Sequence, residues 1–231
     1  MAGINLKTLN DMRVELVAHT VMVATDSGAN MMPVSAARVS HGREDKTGED
    51  PDRDLKLMMF LAEHKHFSPF EHQSLTLLIE APLYVAREWM RHRTQAFNEI
   101  SMRNTSDPSD TYYIPATFRA QATKNKQSSA GAVEAQDQAE RAYVHALRES
   151  VASYNELLAA GVAREIARGV LPTSMVTRYY ATANLRNWAH WYGLRSAEGA
   201  QEEIRHYARK IDQILSGLWP EAWEVLKKSH A

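Results

Sequence analysis

The sequence predicts an α+β fold: a small antiparallel or mixed sheet with flanking helices and a helical lobe. Three observations carry that prediction. Runs rich in β-branched residues alternate with stretches of helical apolar spacing, the helical spacing dominates the C-terminal half, and no internal repeat is present. With 231 residues and 44% hydrophobic content, the chain can bury a substantial core as one domain over 1–231.

Each element follows from its own stretch. VELVAHTVMVAT (14–25) is β-branched and predicts a strand, closed by the turn DSGAN. MPVSAARVS predicts a short helix. Asp52 and Asp54 open DRDLKLMMFLAEHKH, where Leu55, Met58, Met59 and Ala62 share one helical face, and FSPF ends it. QSLTLLIEA (73–81) reads as a second strand. Pro82 suits the first turn of the next helix, PLYVAREWMRHR, expected to run through Arg93. From about 104 to 134 the chain is polar and turn-rich, with NTSDPSD and KNKQSSAGA, and 121–134 is expected to be a flexible loop or insertion. Ala142, Val144, Leu147, Val151, Tyr154 and Leu157 form the stripe of a long helix from 135, broken at Gly161 and resumed through Arg168, with Pro172 stopping it. SMVTRYYATAN predicts another strand and NLRNWAHWYGLR a helix capped by Asn184, with Trp188, Trp191 and Tyr192 in the core. Two amphipathic helices complete the chain.

Composition removes several function classes. Lys+Arg 27 against Asp+Glu 28 gives 27 − 28 = −1, so no global field draws the chain to nucleic acid or an anionic membrane. Any phosphate affinity must be local. No apolar run approaches the roughly 20 residues of a membrane span, and MAGINLKTLNDMR lacks the apolar centre of a signal peptide, so a cytoplasmic location is expected. With Cys 0, no disulfide, thiolate ligand or thiol nucleophile is available. His64, His66 and His72 lack a carboxylate at ligand spacing, so no metal site is expected.

The densest chemistry lies in RHRTQAFNEIS, Arg91 to Ser101. On a helix from Pro82, Arg87 and Arg91 would share a face, and a helix C-terminus favours cations by about 0.3–1 kcal/mol. Beyond it, Asn98, Glu99, Ser101, Arg103 and Asn104 alternate with Phe97, Ile100 and Met102, as an extended segment with its polar side chains at close quarters requires. Arginine forks suit phosphate, while Glu and Ser suit hydroxyl groups and base edges. Arg168, Arg178, Arg186 and Arg195, beside Asn184 and His190, supply further donors for an anionic ligand. Ser101 has no identifiable His and Asp partners, which favours hydrogen bonding over nucleophilic attack. A phosphate- or nucleic-acid-binding module using the RHR cluster is the alternative reading, opposed by the near-neutral net charge.

Arg91-His92-Arg93, seven residues, then Ser101 resembles the signature of the flavin-dependent thymidylate synthases, the ThyX family. AARVS (36–40), FSPFEH (67–72), AREWMRHR (86–93), ARGVLP (167–172) and NLRNWAHWYGLR (184–195) extend the resemblance in order across roughly two hundred residues. It implies a ThyX-like α+β fold, a homotetramer with sites shared between subunits, and reductive methylation of dUMP to dTMP. Methylenetetrahydrofolate would be the carbon donor and NADPH-reduced FAD the hydride source. The absent cysteine agrees, since the other thymidylate synthase family depends on a cysteine nucleophile. By matching position, Glu88, Arg91, Glu99, Ser101, Arg103, Arg168 and Arg195 would line the dUMP site, with Arg195 the activating, catalytic residue. Ser74, Arg91, His92, Arg93, Glu99, Asn184, Arg186 and His190 would contact FAD, and His72 would lie near the folate and flavin face. The match departs at Glu88, where many members have Gln, at Met102-Arg103-Asn104, where Gly-Arg-Tyr is common, and at Gly199, where some have His.

Overall fold

The computed structural model describes residues 4–22, 29–105, 110–124 and 128–229. Its elements run β1 (Asn5–Lys7), β2 (Val14–His19), α1 (Met32–Val39), α2 (Pro51–Glu63), β3 (Ser74–Pro82), α3 (Leu83–Trp89), β4 (Ala96–Glu99), β5 (Thr111–Tyr113), β6 (Arg119–Gln121), β7 (Ser129–Ala132), α4 (Gln136–Ala159), α5 (Arg164–Ala167), β8 (Val176–Asn184), α6 (Leu185–Ser196), α7 (Glu202–Leu218) and α8 (Pro220–Ser229). A four-stranded sheet has the order β2-β3-β8-β4, with β2 at one edge. Two small ribbons accompany it, β1-β5 parallel and β6-β7 antiparallel. The expected α+β class is therefore the observed one.

The chain folds as two units, each assembled from three stretches. Unit 1 comprises the N-terminal residues up to Arg13, Ile79–Arg91 and Asn98–Tyr179; unit 2 comprises Val14–Leu78, His92–Phe97 and the chain from Tyr180. In unit 1, α4 presents Leu147, Val151 and Tyr154 to Met102, Tyr112, Ala167 and Met175, forming an apolar core. Ala142, expected in that stripe, is exposed. Gly161 ends α4 with φ +84, and Gly161 N–H to Leu158 C=O at 3.0 Å with Val162 N–H to Leu157 C=O at 2.9 Å completes a left-handed cap. In unit 2, α6, α7 and α8 bury Trp188, Trp191, Trp219 and Trp223, as the amphipathic spacing requires. The α2 N-cap is Asp50, whose side chain accepts from Arg53 N–H at 3.1 Å, with Pro51 opening the helix. Asp54, expected with Asp52 to open this helix, lies in its first turn, fully buried in an ion pair with Arg38 and accepting from Gly48 N–H at 2.7 Å.

Four expectations change. The strand from Val14 stops at His19, because the Thr20 hydroxyl accepts from Ser74 N–H at 3.0 Å and takes a ladder position from the backbone. The predicted end of that strand and part of DSGAN lie outside the described residues, as do parts of NTSDPSD and KNKQSSAGA. The helix from Pro82 closes at Trp89, with Met90 N–H capping to Ala86 C=O at 2.9 Å, so Arg91, His92 and Arg93 follow the helix rather than ride on it. Pro82 is its N-cap and the last residue of β3. The extended segment ends at Glu99, after which Asn104 N–H and Thr105 N–H turn back to Ser101 C=O at 2.9 and 3.1 Å. The polar stretch 104–134 contains three strands, with Tyr112 and Tyr113 buried, and β7 falls inside 121–134, paired with β6.

Candidate active site

The sequence-predicted residues fall into two sets, one in each unit. In unit 1 the chain leaves β4 at Glu99, and Ile100 N–H donates to Arg178 C=O at 2.9 Å. That bond starts the Ser101 turn beside β8. Arg168 arrives on the 3-10 turn Arg168–Val170 that follows α5. Glu99 and Arg168, both expected at the nucleotide, line one cavity of about 180 Å³, whose wall is apolar at Leu83, Met102, Leu171 and Met175. Thr177, 2% exposed, also lines it, and its hydroxyl donates to Glu99 Oε1 at 2.6 Å. Such a short bond is characteristic of a charge-assisted O–H···O⁻ contact. Ser101 Oγ accepts from Arg103 N–H at 3.3 Å, and the Arg103 guanidinium pairs with Glu165 at 3.2 Å. Both partners of that pair are more than half exposed, so it adds little to stability. Glu88 is half-buried on α3, and Arg91 is exposed beyond its end.

Unit 2 holds the other set, organised by α6. Asn184 caps that helix, its Oδ1 accepting from Asn187 N–H at 2.9 Å, and Asn187 Nδ2 reaches Thr94 C=O at 3.1 Å. The latter bond ties the chain just after Arg93 to the start of α6. Leu185 N–H donates to Gln73 C=O at 2.7 Å, which does the same for the chain before Ser74. Arg186 and His190, four residues apart, are both exposed. The Arg186 guanidinium pairs with Glu71 and lies 5.3 Å from the Phe67 ring centre, a cation–π distance. At the other end of α6, Arg195 Nε–H donates to His92 Nε2 at 2.9 Å. An acceptor nitrogen carries no proton, so His92 is the neutral tautomer protonated at Nδ1. Burial, then the charge of Arg195, then His190 lower its pKa to about 4. The middle residue of the basic triplet is therefore uncharged.

A second cavity in unit 2, of about 590 Å³, is lined by Ser40, His41, Arg43, Arg53, His66 and Ser68 among others. His66 rather than His72 reaches it; His72 is exposed at the end of the 3-10 turn Ser68–His72. Arg93 is exposed. Gly199 is exposed beyond α6.

Thr177, Glu71 and Glu165 are the site residues that sequence reasoning missed. Thr177 is 78 residues from Glu99 and Glu71 is 115 from Arg186, so no spacing pattern joins them. A polar residue in the buried phase of a strand is the one signal that could have flagged Thr177.

This architecture is shared with a known methylase. The UMP/dUMP methylase PolB from Streptomyces cacaoi, solved with 5-Br dUMP, superposes with a TM-score of 0.86 at 31% identity, covering 97% of each chain. Its complex with 5-Br UMP gives 0.83 at 32% identity, covering 98% of this chain and 97% of that one. The family described as Thymidylate synthase complementing protein matches residues 15–221, and the chain belongs to that family. Proteins named flavin-dependent thymidylate synthase are among its relatives. That of Thermosipho melanesiensis is 39% identical over 203 residues, 87% of each chain, and one from Thermus thermophilus is 40% identical over 208 residues, 90% of this chain and 75% of the relative.

Proposed function

We propose that this chain is a flavin-dependent thymidylate synthase, a methyltransferase that converts dUMP to dTMP. The one-carbon unit comes from methylenetetrahydrofolate and the hydride from FAD reduced by NADPH. The observation that carries the reading is the unit 1 cavity, where Glu99 and Arg168 place opposite charges in one apolar-walled space. A nucleotide offers a matching pair of demands, an anionic phosphate for the guanidinium and N–H or O–H donors for the carboxylate. Ser101, Glu88, Arg91 and Arg103 complete the nucleotide contacts.

The donors of unit 2 fit FAD. Arg93, Arg186 and His190 are exposed and can bond phosphate or ring oxygens, and α6 has a capped N-terminus and twelve residues. Neutral His92 contributes an N–H without adding a cation. Ser74, Asn184, Arg91 and Glu99 complete the set, and His72 is assigned to the folate and flavin face. When bound, the flavin supplies the hydride. Arg195 keeps its Nε–H on His92, which holds its guanidinium in place; as the activating residue it stabilises the charge that develops on the uracil ring as N3 ionises and C5 gains electron density. A preorganised cation performs this activation without a thiol. The chain works as one catalytic domain over 1–231, since neither unit is a continuous stretch. It works as a cytoplasmic homotetramer with sites shared between subunits.

Purified protein supplied with FAD, NADPH, methylenetetrahydrofolate and dUMP is expected to retain flavin absorbance, shift it when dUMP binds, and form dTMP. Failure of the folded oligomer to bind added FAD, together with no dTMP, overturns the reading.

A further inference from the structure

We infer that Thr177 is a positioning residue for Glu99, holding that carboxylate for the nucleotide in the unit 1 cavity; the inference rests on the nucleotide reading of that cavity. Along β8 the buried phase is Thr177, Tyr179, Ala181 and Ala183, and each of the other three is apolar or aromatic. Valine would fill position 177 with almost the same shape. A hydroxyl there loses its water on folding and must find a partner to recover the loss. Its partner is Glu99 Oε1, at 2.6 Å. The hydroxyl has one hydrogen and spends it on the carboxylate, so Glu99 is held as an acceptor, with Oε2 left outside this bond for an N–H or O–H of the ligand.

The supporting geometry is rigid where it matters. Thr177 sits on a strand rather than a loop, and Ile100 N–H, the residue after Glu99, is bonded to Arg178 C=O, the residue after Thr177, at 2.9 Å. The backbone bond fixes the two chains in register, and the side-chain bond fixes the carboxylate rotamer. Without the hydroxyl, Glu99 keeps its place in the chain but loses its defined direction. Thr177 itself need not touch the ligand, which makes it a positioning rather than a catalytic residue.

The test uses the flavin-loaded protein and reads the dUMP dissociation constant from the change in flavin absorbance, for wild type, Thr177→Val, Thr177→Ser, Glu99→Gln and the double variant Thr177→Val with Glu99→Gln. Loss of one hydrogen bond to a charged group predicts a rise of about tenfold in Thr177→Val. Thr177→Ser is expected to restore tight binding, Thr177→Val to add little in the Glu99→Gln background, and flavin retention to stay the same in the Thr177 single variants. An unchanged dUMP constant in folded Thr177→Val, or an equal rise in both backgrounds, overturns the positioning role while leaving Glu99 in the site. An unchanged constant in Glu99→Gln overturns the positioning role and the placement of Glu99 together, and no dUMP response in wild type defeats the underlying reading. Thermal unfolding accompanies each variant, and Thr177→Ala replaces Thr177→Val under the same criteria should the latter not fold.

Discussion

The two units handle charge in opposite ways. Unit 1 keeps a carboxylate, Glu99, and directs it with a buried hydroxyl, while Arg168 lines the same cavity and Arg103 is paired on the surface with Glu165. Unit 2 buries His92 as a neutral acceptor under Arg195 and leaves Arg93, Arg186 and His190 exposed. The basic triplet straddles the two, Arg91 belonging to unit 1 and His92 with Arg93 to unit 2. Three adjacent residues with similar side chains therefore take three different roles. Burial and the charge of Arg195 hold the histidine of the triplet neutral, and the guanidinium groups on either side of it are exposed.

The largest break in this comparison is expected at Arg195. Removing a preorganised cation from a site of developing charge costs on the order of 10²–10³ in turnover. Arg195→Ala should lose dTMP formation by that factor at saturating dUMP while retaining FAD; a variant within a few-fold of wild type removes Arg195 from the activating role. A double dissociation comes next. Arg168→Ala should weaken dUMP binding by about 10–100-fold with little effect on FAD, and Arg186→Ala should do the reverse, as loss of bonds to a charged group predicts. Equal losses of both ligands in both variants would mean that the two sets do not divide the work.

The pH behaviour sharpens the contrast further. His92 has its pKa lowered from 6.5 to about 4 in the folded protein, so the unfolded chain takes up a proton first as acid is added. Its contribution to stability is intact above 6.5 and is lost as pH falls through the window from 6.5 to about 4. Unfolding midpoints of wild type and His92→Asn should be furthest apart near neutrality and converge at the acid end, and an imidazole NMR titration near 6.5 would break the neutral-acceptor assignment. The smallest effect belongs to the exposed pair: Glu165→Gln should change unfolding free energy by less than about 0.5 kcal/mol, as surface ion pairs do. A loss several times larger would show that Arg103 is held more firmly than its exposure implies.

Local pattern made much of this legible. The stripe Leu147, Val151, Tyr154 marks the buried face of α4, Asn184 caps α6 as its side chain requires, and Gly161 breaks the helix where a positive φ is needed. The family followed from motif spacing in the chain itself. Within the site, the motif positions pick out Glu99 and Arg168, which share a cavity, and His92 and Arg195, which are hydrogen-bonded. The expected helix runs on through Arg93 because no glycine or proline follows Met90 to mark its end, whereas the chain turns away after Met90. The β6-β7 ribbon was missed because its strands are short, polar and exposed, leaving no alternation to read.

By itself, the sequence determined the helical and strand periods, the caps, the absence of thiol chemistry and the ordered motifs of a flavin-dependent thymidylate synthase, since these depend on residues a few positions apart or on composition. Only the tertiary structure decided that Asp54 is buried against Arg38, that His92 is neutral beneath Arg195, and that a threonine 78 residues away directs Glu99. Protonation and side-chain direction depend on desolvation and on partners brought together by long-range folding, and neither leaves a period in the chain.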